Sequence, residues 1–318
     1  MLKACPMKCV ALCGGVGGAK LALGLSHILT GENLTLIVNT GDDFTHLGLH
    51  ISPDLDTVMY TLAGLSNTQQ GWGRAGESWA FMSALRQLGG EDWFQLGDLD
   101  LATHVERTRR LAAGQSLTQI THGLFAALGV NAHVLPMSDD PVRTIIHTPD
   151  GPLAFQHYFV RDKCAPKVTG FSFAGSEQAA PAPGVLDALA DPGLDCIILC
   201  PSNPFVSIDP ILAVPGLRDA LKAARAPVIA VSPIVGGRAI KGPTAKMMLE
   251  LNVPQTAGAV AAHYGDLLDG FILDETDAAL VPELAAAGLA CGAAQSVMRT
   301  LQDRVKLARN VLDFAATL

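Results

Sequence analysis

Charge is scarce in this sequence: 22 Lys and Arg with 30 Asp and Glu make up only 16% of 318 residues and leave a net charge of −8. A chain with so few cations lacks the basic face that a phosphate backbone needs, which excludes nucleic acid as the main partner. A small anionic substrate is still open, but it requires a few focused cations or a metal ion, because the field of an acidic protein repels it. Long apolar runs are missing as well, since no stretch reaches the roughly 18 residues of a membrane-spanning helix. Residues Met1 to Lys8 run into a strand and a glycine loop with no signal-peptide pattern, so a cytoplasmic location without a membrane partner is expected. Zinc spacings are absent: seven cysteines are present, but Cys5, Cys9 and Cys13 lie four apart and no His-Cys pair has finger spacing. Cys9, Cys13, Cys196 and Cys200 sit inside apolar runs and read as buried thiols.

What is abundant is apolar surface, 49% of residues, enough for one large α/β domain or a core with an insert. Cys9 to Cys13 reads as a buried strand, Gly14 to Gly18 as a loop, Lys20 to Leu29 as a helix, and Leu34 to Val38 as a second strand. Continuous apolar strands alternating with helices predict a doubly wound, Rossmann-like, mainly parallel sheet, which binds ligands beyond its carboxyl ends. From Thr57 to Leu124 the pattern is mainly helical, with Ser78–Leu88, Leu101–Ala113 and Ser116–Leu128 the clearest segments. The expected organisation is a core of residues 1–60 and 125–318 with a helical cap insert at 61–124. Strands are expected at Asn131–Leu135 and Thr144–Ile146, and the turn Thr148-Pro149-Asp150-Gly151 before Leu153–Val160 predicts a β-hairpin extension. Residues 161–184 read as a connection. Strands resume at Cys196–Leu199 and Pro227–Val231.

Three groups of loops carry the main candidate chemistry. Gly14-Gly15-Val16-Gly17-Gly18-Ala19-Lys20 lies between a strand and a helix, where free N–H groups and the helix dipole favour an anion. It lacks the Lys-Ser/Thr of a Walker loop, and the third glycine of GxGxxG would fall at Lys20; a plain tight turn is the alternative. Asn39-Thr40-Gly41-Asp42-Asp43 and Ser52-Pro53-Asp54-Leu55-Asp56-Thr57 put four carboxylates within fifteen positions, either a magnesium site or turn residues and caps of a helix starting near Thr57. His46 and His50 flank them in a structural or substrate-contacting role. Pro201-Ser202-Asn203-Pro204 and Ser232-Pro233-Ile234-Val235-Gly236-Gly237 fall on the same rim, with Arg238 and Lys241 able to neutralise phosphate. Gly97-Asp98-Leu99-Asp100 is a further acidic loop or a helix N-cap. All three tryptophans, Trp72, Trp79 and Trp93, lie near it, either as a wall for a flat ligand or as core.

These motifs, together with Gly71-Trp72-Gly73, Asp98 to His104 and Leu135-Pro136-Met137-Ser138-Asp139-Asp140, resemble the CofD/FbiA family of 2-phospho-L-lactate transferases of deazaflavin coenzyme F(420) biosynthesis over nearly the whole chain. The resemblance implies transfer of a phospho-three-carbon acid (phospholactate, phosphoenolpyruvate or 3-phosphoglycerate) from a guanosine diphospho-donor to the deazaflavin Fo, releasing GMP. It implies a magnesium cofactor held by Asp42, Asp43 and Asp56, with Asp42 and Asp56 first. Guanylate would bind at Gly14, Gly15, Gly17, Gly18 and Lys20 and at Ser202, Asn203, Ser232 and Pro233; the deazaflavin would bind near Asp56, Trp72, Gln95 and Asp98. Asp56 or Asp54 would be the catalytic carboxylate that accepts the hydroxyl proton, a role left to solvent if both hold metal. A homodimer is expected. A basic residue is expected around the Leu-Gly-Asp turn, where this chain has uncharged Gln95 and Leu99. Two competitors share parts of this pattern: a nucleotide-sugar-binding regulatory protein similar to the gluconeogenesis factors, and a nicotinamide-dependent oxidoreductase, against which the broken fingerprint counts.

Overall fold

The structure, a computed structural model, describes residues 7–318, so Cys5 lies outside the described residues. Seven strands form one parallel sheet: β1 (Cys9–Cys13), β2 (Leu34–Val38), β3 (His133–Pro136), β4 (Cys196–Leu199), β5 (Val228–Val231), β6 (Gly270–Asp274) and β7 (Ala290–Ala294). Their order is β7-β6-β5-β4-β1-β2-β3. The apolar strands β1, β2, β4, β5 and β6 are buried along their whole length because helices cover both faces of the sheet. The chain winds outward from β1 to β3, then returns to β4 on the other side of β1, which leaves a crevice between the carboxyl ends of β1 and β4. Cys9, Cys13, Cys196 and Cys200 are free, buried thiols, as their apolar runs imply.

Several boundaries differ from those expected. The first helix, α1, spans Gly15–Ser26, so three glycines of the expected loop form its first turn. Gly15 has φ +63°, which a side chain would strain. Gly17 packs so closely on the next loop that a Cβ would come within 2.2 Å of the Pro201 carbonyl. Backbone approach, which flexibility-based reading of glycine misses, shortens the loop. Helix α2 spans Pro53–Leu62 and starts before Thr57, because Pro53 fits the first helical position. Asp54 and Asp56 therefore lie within its first turn instead of capping it.

Beyond these, α3 (Ala80–Gln87), α4 (Asp98–Ala112) and α5 (Leu117–Ala127) make up the helical stretch, and α5 opens with a Ser116 capping box. Arg143–Thr148 pairs antiparallel with Gly151–Ala154, the expected hairpin, but its second strand ends at Ala154 and is followed by a wide π-type turn over His157–Arg161. Residues 161–184 are more than a connection: Gly170–Ala174 is a third strand beside Arg143–Thr148, and Val168, Ala179 and Ala182 are buried in the main core. The missed signal is the alternation in Gly170-Phe171-Ser172-Phe173-Ala174, masked by its small and polar neighbours.

The ends of α3 and α4 cap each other. Asp98, in the first turn of α4, accepts from the N–H groups of Ala80 and Phe81 at 3.0 Å each, whereas Glu77 accepts from those of Leu99 (2.7 Å) and Asp100 (2.9 Å). Each carboxylate satisfies orphan donors of the other helix. Glu77→Ala should lower stability by about 1 kcal/mol in urea unfolding, and Asp98→Ala should lower Tm in the same direction; unchanged midpoints for both would show that the exchange is dispensable.

Candidate functional site

A cavity of about 550 Å³ opens at the carboxyl ends of the strands, between the β1 and β4 loops and the helical stretch. At one end is the glycine turn. Ser202 Oγ donates to the Gly14 carbonyl (2.8 Å) and accepts from the Gly14 N–H (3.2 Å), tying the two strand-end loops across the switch point. Asp54 Oδ1 accepts from the Gly15 N–H at 2.7 Å, so a carboxylate already sits at the N-terminus of α1, where the helix dipole favours negative charge. Its other oxygen accepts from the Asn39 side-chain amide at 2.9 Å, and the same amide reaches Asp42 Oδ1 at 3.1 Å. Asn39 is itself fixed by accepting from the Gly41 N–H at 2.8 Å. Two carboxylates thus converge on one neutral amide. Burial pushes the Asp54 pKa up to about 6 and raises that of Asp42, which the Asp54 charge pushes up further.

Asp42, Asp54 and Asp56 line the cavity; Asp43 does not. Asp43 lies behind the wall, where its Oδ2 accepts from Ser52 Oγ (2.8 Å) and contacts His50 Nε2 (3.0 Å). Its interior position follows from the hairpin Phe44–His46 with Leu49–Ile51, which folds His50 back over it. Asp56 is gripped on both oxygens by the buried guanidinium of Arg107. Burial raises its pKa, and Arg107 opposes that shift.

Gly14, Gly15, Gly17, Lys20, Ser202, Asn203, Ser232 and Pro233 all line the same cavity, whereas Gly18 is packed against Ser202 and Cys13 beneath it. Lys20 Nζ donates to the Met298 carbonyl at 3.0 Å, and burial, with Arg304 and Lys241 nearby, lowers its pKa. Ser232 Oγ is occupied by the backbone of Ile234, and Asn203 Oδ1 by the Phe205 N–H. Lys241 lines the mouth with its Nζ on the Gly71 carbonyl at 2.9 Å; Arg238 is not part of the wall.

At the other end, Trp72 and Gln95 line the cavity, and Asp98, committed to capping α3, does not. The tryptophans form two groups instead of one wall. Trp72 meets Trp79 edge-on at 6.3 Å, while Trp93 packs among Phe44, His46, Phe94 and His157. Near the Leu-Gly-Asp turn, Arg86 of α3 pairs with Asp92 and donates through Nη2 to Gln95 Oε1 at 3.2 Å, but it does not line the cavity.

Sequence reasoning missed a polar seam between α2 and α4. The buried residues of α4 are Thr103, His104 and Arg107, all polar, and they face Asp56 and Tyr60 of α2. The signal was present as Asp100, Thr103, His104 and Arg107 at i, i+3, i+4 and i+7 spacing, a helical stripe that an apolar template passes over. Asp56, Asp100 and His104 could also hold a metal ion by the proximity of their donor atoms, which lie within 4.8 Å of one another. Arg107, bonded to both Asp56 oxygens and already neutralising that carboxylate, makes the set a poor cation site.

The sheet order and the cavity at its switch point define a doubly wound α/β protein whose polar groups gather at the strand ends. The chain belongs to the CofD family: the family described as 2-phospho-L-lactate transferase CofD matches residues 9–309. It is a transferase of that family. A phosphoenolpyruvate transferase of Kitasatospora aureofaciens is 45% identical over 316 residues, spanning 97% of this chain and 98% of the relative. One from Streptomyces coelicolor is 43% identical over 315 residues with the same coverage. A crystal structure of a UPF0052-family protein from Bacillus halodurans shares the fold, with a TM-score of 0.64 at 17% identity over 98% of this chain and 100% of that one.

Asp54 makes its own contribution to stability testable. The folded state holds its proton up to about pH 6, whereas an unfolded carboxyl releases it near 3.9. The group therefore favours folding below its unfolded value, and that advantage is lost as pH rises through 6. Asp54→Asn should be more stable than the parent at pH 8 by about 1–2 kcal/mol, net of roughly 1 for the hydrogen bond from Asn39, with the gain vanishing toward pH 4. Equal unfolding midpoints at pH 8 would contradict the buried, charged carboxylate.

Proposed function

We propose that the chain transfers a phosphorylated three-carbon acid from a guanosine diphospho-donor to the terminal hydroxyl of the deazaflavin Fo. The observation that carries this reading is that one cavity is lined both by the glycine turn with its carboxylates and by Trp72 and Gln95. The relatives named phosphoenolpyruvate transferase favour the enolpyruvyl donor over phospholactate and 3-phosphoglycerate. In the reaction the acceptor oxygen bonds to the phosphorus bearing the acid. The bond from that phosphorus to the bridging oxygen breaks, GMP departs with the oxygen, and the hydroxyl proton is released. The product is the zero-glutamate precursor of coenzyme F(420).

This chemistry asks the protein for alignment and for neutralisation of diphosphate charge, with no covalent nucleophile. The N–H groups of Val16 and Gly17, which neither Ser202 nor Asp54 occupies, and Lys20 serve the phosphates; Ser202, Asn203, Ser232 and Pro233 border the guanosine side. The donor chemistry suits magnesium. Asp42 and Asp54 present hard carboxylate oxygens to the cavity, and their pKa values are raised first by burial and further by neighbouring carboxylates. They are the residues that would hold the ion, in place of the pair Asp42 and Asp56; when bound, it supplies charge neutralisation on the diphosphate. Asp56, with a lone pair left on each oxygen beside Arg107, is the carboxylate that orients or deprotonates the acceptor hydroxyl. A cytoplasmic homodimer completes the reading on the strength of the family resemblance.

Incubating the protein with magnesium, Fo and each of the three guanosine donors should yield GMP and the matching phospho-deazaflavin, fastest with the enolpyruvyl donor. Asp42→Asn should cut turnover by about 10²-fold or more, as loss of one charge-stabilising group does, and a chelator should abolish it. No product with any donor would overturn the assignment.

A further inference from the structure

The seam between α2 and α4 has a direction. Tyr60 Oη donates to Asp100 Oδ1 at 2.7 Å and accepts from Thr103 Oγ1 at 2.8 Å. Asp100 Oδ2 lies 3.2 Å from His104 Nε2, a buried nitrogen whose contact with this carboxylate is at ion-pair distance but not aligned as a hydrogen bond. The opposite ring nitrogen, Nδ1, lies 3.3 Å from Arg107 Nη1. A guanidinium only donates, so the Nδ1 contact with Arg107 is a hydrogen bond only in the tautomer that carries its proton on Nε2, facing Asp100. Arg107 then clamps Asp56 with both Nη atoms, Nη1 also reaching the His50 carbonyl at 3.4 Å. The chain from Tyr60 through Asp100, His104 and Arg107 to Asp56 crosses two helices along the cavity wall, which Tyr60, Asp100, His104 and Asp56 all line while Arg107 lies behind it. Nothing apolar replaces it on the buried side of α4.

We infer that His104, oriented by Asp100, is a positioning residue that sets Arg107 and thereby aims Asp56 at the acceptor hydroxyl. The inference rests on the transferase reading above. A neutral, Nε2-protonated imidazole offers Arg107 a lone pair; the other tautomer or an imidazolium would present a donor to a donor and swing the fork, and Asp56 with it, away from the cavity. Asp100 selects the productive tautomer, and Tyr60 holds Asp100. This chain makes no hydrogen bond to the glycine turn or to Asp54, which stands two residues before Asp56 on α2 and bonds to Gly15 and Asn39 instead. Its loss should leave donor binding intact.

The test compares His104→Phe, Asp100→Asn and their double variant with the parent, measuring kcat, KM for Fo and equilibrium binding of the donor. Each single variant should lower kcat at least about 10-fold, in the range that misplacement of a reacting group produces, with donor affinity within about twofold of the parent. The double variant should lose no more than the worse single, because both act through Arg107. Tyr60→Phe, which keeps the ring and removes one hydroxyl, should show a smaller loss of the same kind if His104→Phe does not fold. Turnover near the parent's in Asp100→Asn and Tyr60→Phe, losses that multiply in the double variant, or a parallel fall in donor affinity would each overturn the inference. A parent that makes no product would instead overturn the transferase reading.

Discussion

The arrangement depends on one buried carboxylate bonded to neutral partners. Asp54 bonds to the Gly15 N–H and the Asn39 amide, so it joins the first turn of α1, the end of β2 and the first turn of α2 at a single point. Those three segments carry the glycine turn, Asp42 and Asp56. Had Asp54 found a lysine, the site would be a closed ion pair. With only amides for partners, its charge is held by hydrogen bonds and the helix dipole, at the energetic cost that its raised pKa records.

The next carboxylate on the same turn of α2 is held in the other way. Asp56 is equally buried, but Arg107 gives it a fixed, bidentate cation. A charge already neutralised has little to gain from a metal ion and retains directionality for a hydroxyl. A charge without a counter-ion gains most from one. The two aspartates stand two residues apart on α2, and their partners give them different chemistry. In the proposed reaction that contrast favours Asp42 and Asp54 for a cation and Asp56 for orienting the acceptor.

The sheet was legible because its strands are continuous apolar runs of strand length, and no partner in the fold could change what Leu34 to Val38 or Cys196 to Leu199 must do. Glycine and aspartate loops at strand ends were legible for the same topological reason. What stayed hidden depends on contacts distant in sequence. Gly17 reads as loop until Pro201 is seen pressed against it, and Asp98 reads as ligand-facing until Ala80 and Phe81 are seen to need a cap. Gly170–Ala174 is a strand only because Arg143–Thr148 offers it an edge.

The seam on α4 was hidden by a different cause. Pattern reading assumes that the buried face of a helix is the apolar one, and here the buried residues are Thr103, His104 and Arg107. Burying them costs desolvation that only a fully connected network recovers. Packed apolar residues of similar volume would serve the helix contact at least as well. A polar seam at that position is therefore not explained by stability. It is explained if the wall it ends on, Asp56 in the cavity, must be held charged and in one orientation, which an apolar contact cannot do.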